Sequence, residues 1–207
     1  MGIPVLIMGE SGSGKTYSIK NLDPETTGVF LVEKTGLPFR KKFPYVCKDA
    51  TYAKIKASLA LHKLPRYVID DSQYLMANEF FDRANETGYQ KFTDIGVHFR
   101  ELIHKVNHET PENVIVYFLH HTEIDSNTGR TKAKTIGKML DDKLTLEGTF
   151  NIVLCTAKEN DEYLFRTQNS GRDTVKSPED MFPETLPNDL AIVDKAIRKY
   201  YEIDMLT

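Results

Sequence analysis

The segment Gly9–Thr16, written GESGSGKT, contains the residues of this chain whose types and spacing are best suited to chemistry. It follows the apolar run IPVLIM and matches the pattern G-x-x-x-x-G-K-[ST] of a phosphate-binding loop. In such a loop, glycines let backbone N–H groups approach the phosphates, and the N-terminus of the following helix adds its positive end. The predicted nucleotide-binding residues are Gly9, Glu10, Ser11, Gly12, Ser13, Gly14, Lys15 and Thr16.

The last two residues of this loop have separate predicted roles. Lys15 would reach the β- and γ-phosphates as a catalytic residue, and the hydroxyl of Thr16 would bind Mg²⁺. A Mg²⁺ ion also needs an acidic partner at the end of a neighbouring strand, and Asp70 follows the apolar run 67–69. Asp70 is therefore predicted to hold the ion or its waters, since Mg²⁺ keeps several waters in protein sites.

Two further carboxylates are candidates for activating the attacking water. Asp71 would polarise that water, or it would cap the next helix through Ser72. Glu33 follows the second apolar run, which we predict to be a strand next to the first, and this position favours a water-orienting role. The alternative is a surface glutamate that pairs with Lys34 or Arg40.

Two histidines follow the apolar run VIVYFL at 114–119. A polar side chain at this strand end, His120 or His121, would sense the γ-phosphate and pass its state to the following loop. His120 and His121 are also open to a buried structural role. A metal site is the weakest interpretation, because no cysteine or third histidine lies nearby in the sequence.

Apolar runs alternate with helical patterns along most of the chain. Strands are predicted at 3–8, 29–32, 67–69, 114–119, 152–155 and 163–165. Helices are predicted to begin near Gly14, to cover 51–62, to present the apolar face 95–106, and to cover 188–202. Strands separated by helices predict an α/β fold with a mostly parallel central sheet flanked by helices. The last two strands are close enough to form an antiparallel hairpin, and residues 1–207 are predicted to form one domain.

Composition excludes several classes of protein. The 207 residues are 40% apolar and 28% charged, which is typical of a soluble globular protein. A net charge of −3 excludes a uniformly basic surface for nucleic acid, although a local basic patch is permitted. Two cysteines without metal-ligand spacing favour a reducing cytoplasm. We find neither a signal peptide nor a run of roughly 18 apolar residues, and so expect no membrane association.

The order of these motifs resembles the ATPase core of RecA-like recombinases. GESGSGKT, a strand ending in Glu33, YVIDD and a strand ending in His-His follow one another in that order. The segments IGKML and FRTQNSGRDTVKSPEDMFP resemble small RecA-like ATPases encoded by phages, a group that includes the Sak-type single-strand annealing recombinases. This resemblance implies ATP and Mg²⁺ as cofactors, Glu33 as the water-orienting residue, and His121 where RecA-like proteins usually carry a glutamine.

The resemblance also implies a DNA-contacting loop after His121. The polar stretches 123–138 and 168–187 are longer than ordinary connections and are read as functional loops. The predicted DNA-binding residues are Arg130, Lys132, Lys134 and Lys138. They would neutralise phosphates without reading bases. A solvated charged loop is the alternative, since the segment has no aromatic residue on which bases could stack.

The resemblance implies partners as well. These are single-stranded DNA, further copies of the chain in a homo-oligomer, and a phage single-strand binding protein, in the cytoplasm of the host cell. RecA-like ATPases usually complete the site with a basic residue of a neighbouring subunit. The candidates for that residue are Arg166, Arg172 and Lys176.

The leading hypothesis is a DNA-stimulated ATPase in phage recombination or replication, which promotes annealing or strand pairing. The first alternative is a small-molecule kinase, which needs an arginine-rich lid and an acceptor pocket; segment 122–138 carries one arginine. The second is a non-hydrolysing, ATP-dependent interaction module of a replication complex, in which mutation of Glu33 would not change turnover. ATP is the default nucleotide because no guanine-specific motif is present.

Overall fold

The computed structural model describes residues 1–34, 36–136 and 145–204. The strands are β1 (Ile3–Gly9), β2 (Thr27–Leu31), β3 (Tyr45–Lys48), β4 (Arg66–Asp70), β5 (Ile115–Ile124), β6 (Thr131–Ala133), β7 (Ile152–Glu159), β8 (Glu162–Arg166) and β9 (Thr185–Pro187). The α-helices are α1 (Tyr52–Ala60), α2 (Tyr74–Asp82), α3 (Gln90–Glu109) and α4 (Leu190–Tyr201). Short 3₁₀ helices cover Thr16–Asn21, Pro24–Thr26 and Leu146–Thr149.

The strands form a mostly parallel central sheet in the order β3-β2-β4-β5-β1-β7-β8-β9, and β6 pairs with the end of β5. Every pairing from β3 to β7 along this order is parallel, whereas β7 and β8 form an antiparallel hairpin. The α/β class, the parallel sheet and the late hairpin are therefore confirmed. Strand β5 lies between β1 and β4, and Gly9 aligns with His121 at one edge of the sheet.

Helical segments cover both faces of the sheet. Leu6 and Met8 pack with residues of α1, α2 and α3 on one face. Val5 and Ile7 pack with α4 and the 3₁₀ helix Thr16–Asn21 on the other. Because successive strand residues point to opposite faces, a strand buried on both sides needs apolar residues at every position. This explains why the central strands appear in the sequence as unbroken apolar runs.

The first predicted helix has a different form in the structure. Instead of an α-helix that begins near Gly14, a six-residue 3₁₀ helix covers Thr16–Asn21. Leu22 is extended (φ −59°, ψ 146°), and Asp23 is extended as well because it precedes Pro24. The chain has room for only this short helix before β2 begins.

Two predictions about strands were also wrong. Strand β2 does not lie next to β1, since β4 and β5 separate them. Strand β5 does not end at its histidines but continues to Ile124 and turns back through β6, where Thr122 aligns with Ala133. The start of the predicted DNA-contacting loop after His121 is therefore an antiparallel hairpin; Gly137 and Lys138 lie outside the described residues.

The stretch 168–187 packs against the rest of the domain. Val175, Met181 and Phe182 are buried in its cores. Lys176 forms an isolated backbone bridge with Val153 of β7. This connection therefore contributes apolar residues to both cores.

A buried ionic network joins α4 to the amino-terminal ends of the central strands. The Asp194 carboxylate accepts hydrogen bonds from Arg66 Nε and Arg198 Nε, both at 2.8 Å, and from Tyr117 Oη at 3.0 Å. Burial opposes the charged carboxylate, but the hydrogen bonds and charges of Arg66 and Arg198 outweigh it and lower the pKa of Asp194. The helix is thus held by a charge cluster as well as by its apolar face.

We predict that Asp194→Asn destabilises the protein by about 3–5 kcal/mol, because two buried guanidinium groups lose their counter-ion. Urea denaturation measures the change. Asp161→Asn is the control, since Asp161 pairs with Lys158 at 2.8 Å while its side chain is 94% exposed. Surface ion pairs contribute little, so the control is expected to match the wild type. Equal stability of the two variants would contradict a structural role for the network.

Candidate functional site

The loop Gly9–Thr16 leaves the carboxyl end of β1, and Thr156 of the neighbouring strand β7 is hydrogen-bonded to it. Thr156 Oγ1 donates to Ser13 Oγ at 2.7 Å, and Ser13 Oγ donates to the Glu10 carbonyl at 2.7 Å. A Cβ on Gly9 would lie 1.9 Å from Thr156 Oγ1, so a side chain there would displace the threonine. Glycine at the start of the loop is therefore a packing requirement.

A second support comes from the segment between β9 and α4. Asn188 Nδ2 donates to the Gly14 carbonyl at 3.0 Å. Gly14 has φ +93°, and a Cβ there would lie 2.4 Å from Asn188 Nδ2. No sequence pattern marks Thr156 or Asn188 as part of the site; the only signal for Thr156 is that a polar residue follows the apolar run 152–155.

Lys15 is a buried cation that forms no direct ion pair with the carboxylates of the described residues. Its side chain crosses the loop, where Nζ donates to the carbonyl oxygens of Gly9 at 2.9 Å and Glu10 at 2.8 Å. The residue is 5% exposed, and burial lowers the pKa of its ammonium despite the opposing charges of Asp71 and Asp70. Among the ion pairs of the described residues, none involves Lys15. Because a buried charge needs compensation, this ammonium is placed to receive an anion.

Thr16 and Asp70 meet as the sequence predicts, although 54 positions separate them. The Thr16 hydroxyl donates to Asp70 Oδ1 at 2.9 Å. Asp70 is 2% exposed at the end of β4, and its pKa is raised to about 6 by burial and then by the charge of Asp71. A hydroxyl and a carboxylate oxygen are ligands that Mg²⁺ accepts. Within the described ranges, no cluster of three or more His, Cys, Asp and Glu residues could hold a metal.

Asp71 and His121 form a hydrogen-bonded pair beside this site. His121 Nε2 lies 3.1 Å from Asp71 Oδ1, and the ionised carboxylate only accepts, so Nε2 carries the proton. Asp71 has φ +57°, an unfavourable backbone conformation for a residue with a side chain. Helix α2 has no side-chain cap, which makes a capping role for Asp71 through Ser72 wrong.

Glu33 lines a cavity that Asp71 and His121 also line. Its Oε1 accepts a hydrogen bond from Asn78 Nδ2 at 3.0 Å. Lys34 pairs with Asp49 instead, at 3.6 Å, so the predicted surface pair between Glu33 and Lys34 is wrong. The role of Asn78 in holding this carboxylate has no signal in the sequence.

These residues surround one cavity of about 790 Å³. Its charged and polar walls include Lys15, Thr16, Glu33, Asp71 and His121. Its aromatic walls are Tyr17, Tyr74 and Tyr163. The structure therefore brings the loop, Asp71, His121 and Glu33 together, with Asp70 directly behind Thr16, and adds aromatic residues that the sequence does not single out.

The two adjacent histidines have different environments because they point to opposite faces of β5. His120 is fully buried, and burial lowers its pKa to about 4. His120 Nε2 lies 2.8 Å from the Lys134 carbonyl, which only accepts, so the neutral ring accepts at Nδ1 from Ser72 Oγ at 2.9 Å. His120 is thus the structural histidine, while His121 lies in the cavity.

The residues predicted to bind DNA have different environments in the structure. Arg130 is exposed near the tip of the β5–β6 hairpin. Lys132 pairs with Glu123 at 3.4 Å and Asp125 at 3.7 Å. Lys134 lines a second cavity beside the first, and Lys138 lies outside the described residues.

Among the basic residues proposed to act on a neighbouring subunit, Arg166 pairs with Glu159 of its own chain at 2.8 Å.

No protein-family model matches this chain, and no curated protein matches it. In the part of the chain that the structure describes, no helix is both long and apolar enough to cross a membrane. The interpretation of the cavity therefore depends on the geometry and chemistry of its residues.

We predict that Asp70→Asn stabilises the protein above pH 6. In the folded chain the pKa of Asp70 is about 6, above the ordinary value of 3.8, so the folded state binds the proton more tightly between these values. The stability from this group is present at low pH and is lost as the pH rises through 6. Urea denaturation at about pH 8 should show a gain on the order of 2 kcal/mol that disappears near pH 4.

The matched control for this prediction is Asp82→Asn, which changes an exposed carboxylate at the end of α2. It is expected to leave stability nearly unchanged at both pH values. A loss of stability for Asp70→Asn at high pH would show that the buried carboxylate stabilises the fold.

Proposed function

We propose that this chain is a Mg²⁺-dependent, RecA-like ATPase whose hydrolysis is coupled to single-stranded DNA. The observation that carries the proposal is the buried Lys15 ammonium, which lines the cavity and, among the described residues, donates to loop carbonyls alone. An anion of high charge compensates this ammonium. A nucleotide bound in this cavity would place its triphosphate against the loop, Lys15 and Thr16. The cavity volume of about 790 Å³ lies in the range of small-molecule sites.

The residues present fit a Mg²⁺–nucleotide complex. Lys15 exchanges its hydrogen bonds with the Gly9 and Glu10 carbonyls for phosphate oxygens. Thr16 and Asp70 would hold the Mg²⁺, either directly or through its waters. When bound, the ion would neutralise the negative charge that develops on the phosphates.

Hydrolysis needs a base that orients and deprotonates water. Glu33 is the residue proposed for it, since Asn78 fixes one carboxylate oxygen and leaves the other to accept the proton. The water oxygen bonds to the γ-phosphorus as the bond to the β–γ bridging oxygen breaks, giving ADP and phosphate. His121, held by Asp71, is proposed to detect whether the γ-phosphate is present.

Coupling to DNA is proposed through the β5–β6 hairpin, which begins at His121 itself. The Lys134 N–H donates to the His121 carbonyl at 2.9 Å, so a displacement of His121 moves both strands of the hairpin base. Arg130 and Lys134 offer positive charge to phosphates from this hairpin. Assembly into a homo-oligomer and cooperation with a phage single-strand binding protein belong to the same proposal.

A small-molecule kinase is the second candidate, because the structure contains a second cavity of about 570 Å³ next to the first. An acceptor bound there would receive the phosphoryl group in place of water. The product separates the two functions, since hydrolysis releases inorganic phosphate without any acceptor present.

We expect the purified protein to hydrolyse ATP with Mg²⁺, and single-stranded DNA to increase the rate. Lys15→Ala should abolish nucleotide binding, whereas Glu33→Gln should lower kcat by roughly 10²–10⁴-fold with binding retained. Glu25→Gln, which changes an exposed carboxylate outside the cavity, is the matched control. Phosphate release and nucleotide affinity are measured on all four proteins.

Three outcomes would contradict parts of this proposal. Equal rates with and without DNA would remove the coupling and leave the ATPase. Tight ATP binding with negligible turnover, unchanged in Glu33→Gln, would indicate a nucleotide-dependent interaction module. Failure of the wild type to bind ATP would remove the proposed function altogether.

A further inference from the structure

The second cavity is a lateral extension of the first. Both are lined by Ser11, Tyr74 and His121, so that a molecule in one contacts the walls of the other. His121 is hydrogen-bonded to Asp71 in the first cavity. An occupant of the second cavity therefore touches a group that is also part of the proposed catalytic site.

Helix α2 gives the second cavity an aromatic wall. Tyr74, Ala77 and Phe81 line it, and their spacing of three and four residues places them on one face of the helix. Phe81 is 70% exposed, whereas its neighbour Phe80 packs with Phe92 at 5.8 Å between ring centroids. The ring of Phe81 thus offers a flat apolar surface to solvent beside a polar cavity.

The hairpin base gives the cavity a cation. The backbone of Lys134 is fixed on both sides, because its N–H donates to the His121 carbonyl and its carbonyl accepts from His120 Nε2. Its side chain is exposed and, within the described part of the chain, no ion pair involves it. Lys132, two positions earlier, has its charge balanced by Glu123 and Asp125. Lys134, directly after β6, lines the cavity with an ammonium that is available to a ligand.

We propose that the second cavity binds one nucleotide of single-stranded DNA, with the base stacked on Phe81 and the adjoining phosphate at Lys134. This inference rests on the proposed function, since it names where that DNA binds. A small-molecule site buries most of its ligand, and a wall residue that is 70% exposed fits a passing strand better. Aromatic stacking with a nearby cation is how single strands are bound without base readout. Glu10 lies on the wall formed by the loop, which directs the phosphate toward Lys134.

The position of this site gives a route from DNA to hydrolysis. The bound nucleotide contacts His121 and Tyr74, whose rings meet edge to face at 5.8 Å between centroids. Fixing His121 also fixes its hydrogen-bond partner Asp71 beside the loop. DNA thereby increases the fraction of sites in which the cavity residues are arranged for reaction. Basal hydrolysis does not need Phe81.

The test measures binding of a fluorescent oligodeoxythymidine by anisotropy, with ATP and Mg²⁺ present. Phe81→Ala and Phe81→Leu should weaken binding about tenfold, because leucine keeps apolar volume but not the flat ring. Phe81→Tyr should bind as the wild type does, which also shows that substitution at this position permits folding. Lys134→Ala should weaken binding and reduce the dependence of log K on log[salt] by about one phosphate contact. Tyr89→Ala is the matched control, since Tyr89 is 82% exposed but lines neither cavity.

Basal ATP hydrolysis without DNA is measured on the same variants and should be unchanged in Phe81→Ala, while stimulation by DNA falls. Equal DNA affinities of Phe81→Ala and the wild type would overturn the inference, as would equal losses in Phe81→Ala and Tyr89→Ala. A wild type that hydrolyses ATP but binds no DNA would overturn it and leave the ATPase standing. A wild type without hydrolysis, whose DNA binding still depends on Phe81, would overturn the ATPase and support this site.

Discussion

The unpaired charge of Lys15 is the constraint on which the rest of the site depends. Within the described residues, this ammonium is 5% exposed and donates to carbonyl oxygens alone, which is an unfavourable environment for a charge. The surrounding elements keep it there: β1 delivers the loop, and Thr156 and Asn188 hold its shape from strands and turns far along the chain. Because burial of this ammonium costs stability, an anion bound beside it would stabilise the folded protein.

Adjacent residues of β5 point to opposite faces of the sheet, so His120 is buried in the structure while His121 lies in the cavity. His120 turns inward, neutral and hydrogen-bonded at both nitrogens, and ties the start of α2 to the hairpin base through Ser72 and Lys134. His121 turns to the cavity and holds Asp71. Because β5 lies between β1 and β4, this alternation places an imidazole between the loop and the acidic pair.

Local patterns predict much of this molecule, and non-local packing explains what they omit. The loop, the parallel sheet and the late hairpin are readable because glycine spacing and apolar runs are local signals. The continuation of β5 to Ile124 is not readable, because its polar side chains suggest a strand end while backbone pairing with β6 extends it. Thr156 and Asn78 reach Ser13 and Glu33, and Phe81 reaches the second cavity, through tertiary placement that local sequence patterns do not specify.

The network around Asp194 also has a consequence for the chain during its synthesis. Arg66 and Asp194 are 128 positions apart, which corresponds to roughly 6–26 s of synthesis at ordinary rates of chain elongation. During that interval a nascent chain carries the Arg66 guanidinium without the Asp194 carboxylate, and one face of the sheet without its covering helix. Premature termination before α4 would therefore yield chains in which this apolar face of the sheet is exposed to chaperones and proteases.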